Sequence, residues 1–302
     1  MPRGALDNRR RCRLRPCRPL LTVLAVLLLA ALLLPASARG VRSAGIAALQ
    51  VGLRAHGLYK GSIDGIRGPL TTKAVRKLQR HARIAVDGVP GPQTRRALGR
   101  FGKHRLGSRP LRNGRVGWDV AALQFKLATH GFPSGVFDGV FGPRTDRALL
   151  RFQNWARLPA DGVAGPMTLR RLAARPARPT VRLVWPVEKP VLGDRFGPRG
   201  ARFHAGLDFI AASGTPVYAA APGKVTYADW SDGYGFLVVV SHGHGERTLY
   251  AHLSRIDVRA GVWVGSGVRV GLVGATGEAT GPHLHLEVRV RGAAVDPLLA
   301  LP

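Results

Sequence analysis

The sequence predicts a multidomain chain in which two small helical modules precede an all-β, antiparallel domain. Three observations support this fold class. An eight-residue motif recurs four times in the front half, short apolar runs punctuated by glycine follow residue 182, and apolar and polar residues alternate strictly from His283 to Val290. A repeat marks a duplicated structural unit, whereas a period of two is typical of a half-buried β-strand.

Residues 1–38 are predicted to be an export signal that is not part of the fold. Seven arginines precede an apolar run from Leu20 to Leu34, and Ala36-Ser37-Ala38 fits a signal cleavage site. The apolar run is short for a membrane span, and an uncleaved anchor is the alternative. Both cysteines of the chain lie in this segment, so the mature protein is predicted to have neither disulfides nor thiolate ligands.

The repeated motif is D-G-x-x-G-P-x-T, and its copies begin at Asp64, Asp87, Asp138 and Asp161. They are 23 residues apart within a pair (87 − 64) and 74 apart between pairs (138 − 64). The same shift of 74 maps further residues onto each other without a gap, namely Leu49-Gln50, His56-Gly57 and Gln79. The sequence therefore predicts a duplicated module, first at 44–99 and again at 118–173.

Each module is predicted to consist of short helices joined by turns. Ile46 to Ala55 carries helix-spaced apolar residues before Gly57, a typical helix stop. Pro69 and Pro92 suit the first turns of the next two helices. The Asp-Gly pairs are interpreted as turns, because one acid per loop supplies too few ligands for calcium.

Two further stretches are predicted to be linkers. Residues 100–117 are basic and rich in glycine, and residues 174–182 carry prolines that stiffen the chain. The pattern of short β-runs begins after them, which places the all-β domain at 183–297.

Six of the ten histidines lie in this domain. His283 and His285 occupy positions i and i+2 of one predicted strand, where two imidazoles on one face can converge on a single ion. Upstream, His204 and Asp208 lie in a glycine-containing stretch predicted to be loop or strand, and His252 follows an apolar run. Two imidazoles and one carboxylate with an open fourth position are a known catalytic zinc pattern. The residues alone leave open whether His283 or His285 binds the metal.

Other aromatic and histidine residues of this domain have two interpretations each. His242-Gly243-His244 is also H-x-H, but glycine interrupts and follows it, which favours a hairpin turn over a role at the rim of a cleft. Tyr234, Trp185, Trp230 and Trp263 fit a core position as well as a substrate-facing one.

Between residues 183 and 297 the chain resembles the lysostaphin-type (LytM-like) zinc metallopeptidases of bacterial cell walls. The ordered motifs that carry the resemblance are Asp194-Arg195-Phe196-Gly197-Pro198-Arg199, Phe203-His204-Ala205-Gly206-Leu207-Asp208, Gly214-Thr215-Pro216-Val217, Gly223-Lys224-Val225, Tyr250-Ala251-His252-Leu253 and Gly281-Pro282-His283-Leu284-His285. The resemblance implies that His204, Asp208 and His285 bind zinc. It implies that His252 and His283 are the catalytic pair, without saying which acts as base and which stabilises the oxyanion.

Two positions depart from the pattern of that family. Phe236 stands where asparagine is frequent after Gly-Tyr-Gly, and Leu286 replaces a frequent phenylalanine. Neither alters the five implied site residues, so the departures bear on substrate preference. Each repeat module, in turn, resembles the three-helix peptidoglycan-binding domain found on wall hydrolases, over nearly its whole length.

Positive charge is concentrated in the front half of the chain. Residues 39–180 hold 27 Lys and Arg against 6 Asp, whereas residues 181–302 hold 12 against 10 Asp and Glu. Such a bias favours an anionic partner, which for an exported protein means peptidoglycan and anionic wall polymers rather than nucleic acid. An arginine-biased composition with solvated side chains is the plainer explanation of the same charge.

Together these features predict a secreted, wall-associated and monomeric zinc endopeptidase that hydrolyses peptide bonds of peptidoglycan, with no stable membrane partner unless the signal stays uncleaved. A non-enzymatic wall-binding or hydrolase-activator protein on the same fold is the first alternative. An exported nucleic-acid binder, supported by charge alone, is the second.

Overall fold

A computed structural model describes residues 42–302. The predicted export signal lies outside the described residues. Within them, no helix has the length and apolar character needed to cross a membrane. The described part is helical up to Ala173 and then almost entirely antiparallel β-structure, which confirms the predicted fold class.

Residues 42–302 contain six α-helices, three in each predicted module. They are α1 (Ala44–Ala55), α2 (Pro69–His81), α3 (Pro92–Ala97), α4 (Trp118–Thr129), α5 (Pro143–Trp155) and α6 (Pro166–Ala173). Four of them begin with proline after an extended glycine, because proline lacks the N–H that would be unpaired in the first turn. α1 ends before Gly57, whose φ of 70° lies in the left-handed region, as the sequence predicts.

A buried glutamine fixes each of the four Asp-Gly turns. In the first turn, Gln50 Nε2 donates to Asp64 Oδ1 (2.7 Å) and to Thr71 Oγ1 (3.1 Å), and Gly65 N–H donates to Gln50 Oε1 (2.9 Å). Asp64 Oδ1 also accepts from Ile66 N–H, two residues further on. The same network surrounds Gln79, Gln124 and Gln153. The repeated Asp residues are therefore turn formers, as interpreted, and the repeated Thr supplies a further acceptor for the same glutamine.

The two modules are packed together. The equivalent helices α1 and α4 contribute to one buried apolar cluster, in which Leu49 and Leu53 of the first join Phe125 of the second. The second module has an additional core around Leu123 and Phe152. Burial of this apolar surface is the main source of stability for the pair.

The predicted linker 100–117 contains buried side chains that contact the second module. Leu111 is fully buried and exchanges two backbone hydrogen bonds with Ala164 of the second module. Arg109 forms an ion pair with the buried carboxylate of Asp119, with 2.7 Å between Nε and Oδ2. A segment held in this way joins the modules at a fixed distance.

The β domain consists of eleven strands in residues 197–295. They are β1 (Gly197–Arg199), β2 (Arg202–His204), β3 (Leu207–Ile210), β4 (Pro216–Tyr218), β5 (Gly223–Ser231), β6 (Gly235–Gly243), β7 (Glu246–Ile256), β8 (Trp263–Val264), β9 (Arg269–Val273), β10 (His283–Val290) and β11 (Ala293–Val295). The first two form a separate hairpin, and the other nine form one sheet with the path β11-β10-β7-β6-β5-β8. β3 pairs with β10, and β9 joins β4 to β7.

β10 is the predicted alternating strand. Leu284, Leu286 and Val288 point into the core of the domain and are fully buried. The opposite face is less exposed than a half-buried strand predicts, because His285 and Glu287 are buried as well. The strand therefore has polar side chains in a position where each of them needs a hydrogen-bond partner.

Residues outside the predicted limits of the β domain also contact it. The chain continues beyond residue 297 into the core, where Ala300 and Leu301 are buried and Leu183 N–H donates to Ala300 O. The predicted linker 174–182 is held at its end, because the buried carboxylate of Glu246 accepts hydrogen bonds from the amides of Thr180 and Val181.

Some of the remaining aromatic and histidine residues of this domain are packed against other residues, and others are exposed. His244 lies in the turn of the β6–β7 hairpin, as interpreted, and His242 bonds to Pro222 O and Thr248 Oγ1. Trp185 packs edge-on against Phe209 at the core, whereas Trp230 and Trp263 are largely exposed.

Candidate metal centre

Three polar side chains converge where β2, β3 and β10 meet. His204 ends β2, Asp208 lies on β3, and the antiparallel register of β3 and β10 places Asp208 directly opposite His285. Gly206, between the first two, allows this approach, since a Cβ there would lie 2.4 Å from Leu286 O and 2.7 Å from His285 Cε1. The sequence prediction of loop or strand around His204 and Asp208 is confirmed.

The donor atoms of this triad are close enough to share one ion. His204 Nε2 and His285 Nδ1 are 3.0 Å apart, and they lie 3.1 Å and 2.8 Å from Asp208 Oδ1. Tetrahedral zinc with bonds of about 2.0–2.1 Å separates its ligand atoms by about 3.3 Å. The two imidazoles and the carboxylate therefore fit zinc. Within residues 42–302 they form the group of His and Asp side chains whose potential ligand atoms lie close enough to share one ion.

Hydrogen bonds to the outer nitrogens orient both imidazoles. His204 Nδ1 lies 3.1 Å from Arg195 O, and His285 Nε2 lies 3.2 Å from Glu287 Oε1. Because both partners are acceptors, these ring nitrogens carry the proton and donate it, which leaves the opposite nitrogen free to bind a metal. His283, in contrast, has its Nε2 3.9 Å from Asp208 Oδ1. The structure thus brings His285 into the triad and His283 next to it, a choice that the residues alone left open.

Burial alone would raise the pKa of Asp208, but its close contacts with His204 and His285 outweigh that effect and hold the pKa well below its usual range. The carboxylate is therefore negatively charged at neutral pH. A charged carboxylate between two imidazoles is the electrostatic arrangement that favours a bound cation.

Glu287 contacts His285 at Nε2, the ring nitrogen that points away from Asp208. The sequence motifs alone do not indicate this role. Glu287 Oε2 accepts from Arg289 Nε (2.7 Å), and its Oε1 accepts from Tyr234 Oη (2.8 Å) as well as from His285. Burial would raise the pKa of Glu287, yet the charge of Arg289 and the bond to His285 lower that pKa to about 2. The available signal was the alternation of β10, which places Glu287 on the face that carries His285.

His252 and His283 face each other beside the triad, with ring centroids 4.8 Å apart. Each Nδ1 lies 2.8 Å from a backbone carbonyl, Thr276 O for His252 and Gly281 O for His283. The two Nδ1–H groups are thus engaged, which leaves the Nε2 atom of each ring for other partners. Burial lowers the pKa of His252, aided by the neighbouring His283, which favours the neutral form of its ring.

The backbone of His252 is itself unusual. Its φ is 62°, in the left-handed region that non-glycine residues rarely adopt. The amide of His252 donates to Tyr234 O (2.8 Å), and its ring bonds to Thr276 O. Such strain persists where surrounding contacts fix it, and it concentrates at functional sites.

The triad and the histidine pair line one cavity of about 760 Å³. Its wall also includes Arg199, which forms an ion pair with Asp194 (2.8 Å), and Phe203 and Tyr234. Pockets of this size are typical of ligand-binding clefts. All five sequence-predicted site residues therefore meet at one cleft, although their roles remain a proposal.

Comparison with known proteins places this geometry in a family. The model of peptidase family M23 matches residues 202–297, and a peptidoglycan-binding domain model matches residues 42–98 and 117–172. Residues 202–297 form a peptidase family M23 domain. This domain is a metallopeptidase domain whose donor set fits zinc, and both repeat modules are peptidoglycan-binding domains, which confirms the resemblance drawn from the motifs.

Relatives of the M23 domain have two kinds of described role. The DD-carboxypeptidase/endopeptidase Mpg of Neisseria meningitidis is 47% identical over 102 residues, which are 33% of this chain and 24% of that protein. The murein hydrolase activator EnvC of Escherichia coli is 40% identical over 121 residues, 39% of this chain and 29% of that protein. A solved zinc-containing peptidase from Vibrio cholerae is 35% identical, with 43% of each chain covered and a TM-score of 0.38. The chain thus spans about a quarter of the first curated relatives that it matches.

Proposed function

We propose that this protein is an exported zinc endopeptidase that hydrolyses peptide bonds of bacterial peptidoglycan. The observation that carries the proposal is the single cleft in which a His-Asp-His donor set lies beside two further histidines with free Nε2 atoms. In the proposed assignment His204, Asp208 and His285 bind zinc. Bound zinc supplies an activated water and polarises the scissile carbonyl.

His252 and His283 then handle protons and charge at the reacting bond. Cleavage of an amide needs a donor for the developing oxyanion and a proton for the departing amine. Each ring is fixed by its Nδ1–H bond to a carbonyl, so only Nε2 is available for these tasks. The assignment of one task to each ring stays open.

The second peptidoglycan-binding domain offers a surface for the anionic groups of the wall. A cavity of about 530 Å³ between α5 and the preceding turn is lined by Arg144, Arg147 and Arg151, with Ser134 and Asn154 beside them. No acidic side chain lines it. Arginine recognises carboxylates through paired N–H donors, and stem peptides of peptidoglycan end in carboxylates. We therefore assign this cavity to wall carboxylates.

A hydrolase activator that does not cleave the wall is the second candidate, since one relative carries that name. An activator needs no metal ligands and no acid–base pair. Their joint presence here favours the enzyme.

The test compares the wild-type chain with His285→Ala and Asp208→Ala, and uses His244→Ala, an exposed turn histidine, as the control. Metal analysis should give one zinc per wild-type or control chain and none in the two site variants, because a two-donor site binds zinc far more weakly. Mass spectrometry of digested peptidoglycan should show new peptide termini only for wild type and control.

Full zinc occupancy in both site variants would contradict the ligand assignment. A zinc-loaded wild-type chain that produces no new termini, yet accelerates another wall hydrolase, would replace the enzyme with the activator.

A further inference from the structure

The β1–β2 hairpin, which ends in the zinc ligand His204, is clamped at its tip by both peptidoglycan-binding domains. Ile63 N–H donates to Gly200 O and Phe137 N–H donates to Ala201 O, each at 2.7 Å. Gly200 N–H also donates to Ser62 Oγ at 3.1 Å. The hairpin therefore extends the backbone hydrogen bonding of the helical part rather than pointing into solvent.

The two clamping amides occupy equivalent positions of the duplicated module, since 137 and 63 differ by the repeat shift of 74. Ile63 and Phe137 are both buried in the apolar cluster that the two modules share. Phe203, next to His204, packs against the same cluster. Two copies of one turn thus bind two successive carbonyls, and their buried side chains hold the amides in place.

A second contact joins the second module to the end of β10, the strand of His283 and His285. The turn of Gly131 lies against β11, where Ala294 N–H donates to Gly131 O (3.1 Å). Ala293 is fully buried within the apolar core of that module. Trp155 Nε1–H donates to Val290 O, the last residue of β10, at 3.2 Å.

The connections between the domains leave little freedom for separation. The predicted linkers are held by Leu111, by the Arg109–Asp119 ion pair and by the bonds from Thr180 and Val181 to Glu246. A flexible tether would show none of these contacts, and a tethered domain would keep its site independent of the modules.

We propose that the peptidoglycan-binding domains are positioning elements of the metal centre as well as wall anchors. They hold the hairpin that ends at His204 and the strand that carries His283 and His285, so that docking of the modules sets the separation of the zinc ligands. The inference rests on the proposed function for its consequence in catalysis, whereas its effect on metal binding stands independently of the substrate. A site built to within fractions of an ångström depends on such support.

The repeat provides a matched pair of variants, Gly131→Asn and Gly57→Asn. The two glycines are equivalent by the shift of 74, and both have φ in the left-handed region, 87° and 70°, where asparagine is the best tolerated replacement. A Cβ at Gly131 would lie 2.2 Å from Ala294 O, whereas a Cβ at Gly57 meets nothing within 4 Å. Gly131→Asn therefore forces the second module away from β11, and Gly57→Asn changes the same backbone position without a wedge.

Four properties are measured on full-length chains: hydrogen exchange at Ala294, zinc affinity by chelator competition, the visible spectrum of the Co²⁺ form, and kcat on a soluble peptide. In Gly131→Asn we expect faster exchange at Ala294 and a changed Co²⁺ spectrum. Zinc binding should be weaker by about tenfold or more, which is the usual effect of losing hydrogen-bond support around metal ligands. The kcat should be lower, with little change in KM. Gly57→Asn should match wild type in all four.

Faster exchange at Ala294 with unchanged zinc affinity and Co²⁺ spectrum would overturn the inference. Equal exchange in wild type and Gly131→Asn would overturn it too, because the asparagine side chain cannot fit against Ala294 while the interface is formed. If Gly131→Asn does not fold, Trp155→Phe removes the bond to Val290 while keeping an aromatic ring beside Phe132 and Phe152, and it is judged by the same readouts. Failure of the proposed function would look different: wild type would bind zinc tightly yet leave peptide and wall intact.

Discussion

At the residue scale, the two histidines of the β10 H-x-H pair illustrate how similar side chains acquire different surroundings. His285 Nδ1 lies 2.8 Å from Asp208 Oδ1 and its Nε2 is bound by Glu287, whereas His283 bonds to Gly281 O and faces His252. The chemical difference arises from the outer hydrogen bond of each ring, which decides the nitrogen that is left to act.

The proposed division between metal binding and proton handling gives a prediction for His252. His252→Ala should retain zinc, because the triad does not include it, and should lose wall-lytic kcat by about 10²-fold or more, the usual contribution of an acid–base group or oxyanion donor. His244→Ala is the matched control, since His244 also has a positive φ, 49°, but lies exposed in a turn. Loss of zinc from His252→Ala would show that this residue has been assigned the wrong role.

At the element scale, the second module contains a buried histidine where the first has an exposed one. His130 is 5% exposed, its Nε2–H donates to Leu172 O (3.0 Å), and its Nδ1 has no partner among residues 42–302. His56, the equivalent residue, is exposed, and its Nε2 lies 3.4 Å from Leu98 O. Protonation of His130 would place an unpaired charge in the interior between α4 and α6.

The difference predicts a pH-dependent stability of the second module. Burial lowers the pKa of His130 in the folded protein below its ordinary 6.5. At a pH between this lowered pKa and 6.5, the unfolded state therefore binds more protons than the folded state. The contribution of neutral His130 to the free energy of unfolding is therefore fully present above pH 6.5 and is lost as the pH falls below it. From pH 7.5 to 5.5 the Tm of wild type and His56→Gln should decrease more than that of His130→Gln. Equal decreases in all three would contradict a neutral buried His130.

At the scale of the whole molecule, charge and cleft are separated along the chain. The basic residues 39–180 contain the peptidoglycan-binding domains, and the nearly neutral residues 181–302 contain the M23 domain with the proposed zinc site. Because the modules also pack on the M23 domain, binding to the wall and orientation of the cleft are coupled in one body rather than in tethered parts.

Wall binding should depend on where the positive charge lies. Replacement of Arg144, Arg147 and Arg151 by glutamine should lower sedimentation with insoluble walls about tenfold or more at physiological salt, because paired contacts to carboxylates are lost. A control with the exposed Arg112, Arg115 and Arg175 replaced loses the same charge outside the cavity. Its smaller defect should vanish at high salt, where exposed charges are screened. Equal defects in both variants would mean that net charge, not the cavity, binds the wall.

Much of this organisation could be predicted from the sequence, because the signals are local. The shift of 74 residues fixes the duplicated module, and the helix starts follow from Gly-Pro steps. The alternation of β10 and the spacing of its two histidines identify a strand with a metal-binding face. Such patterns reflect the geometry of one helix or one strand, so they can be recognised before any tertiary contact is known.

Other features depended on contacts between distant residues. The register of β3 against β10 selects His285 over His283 as the partner of Asp208, and the fold surrounds Glu287 with Tyr234 and Arg289. The contacts from Ser62 to Gly200 and from Trp155 to Val290 join residues 138 and 135 positions apart. No local pattern marks such contacts, because basic and glycine-rich segments look like linkers until a neighbouring domain buries them. By itself the sequence determined the elements and the candidate ligands; the tertiary structure decided how the wall-binding modules and the metal centre support each other.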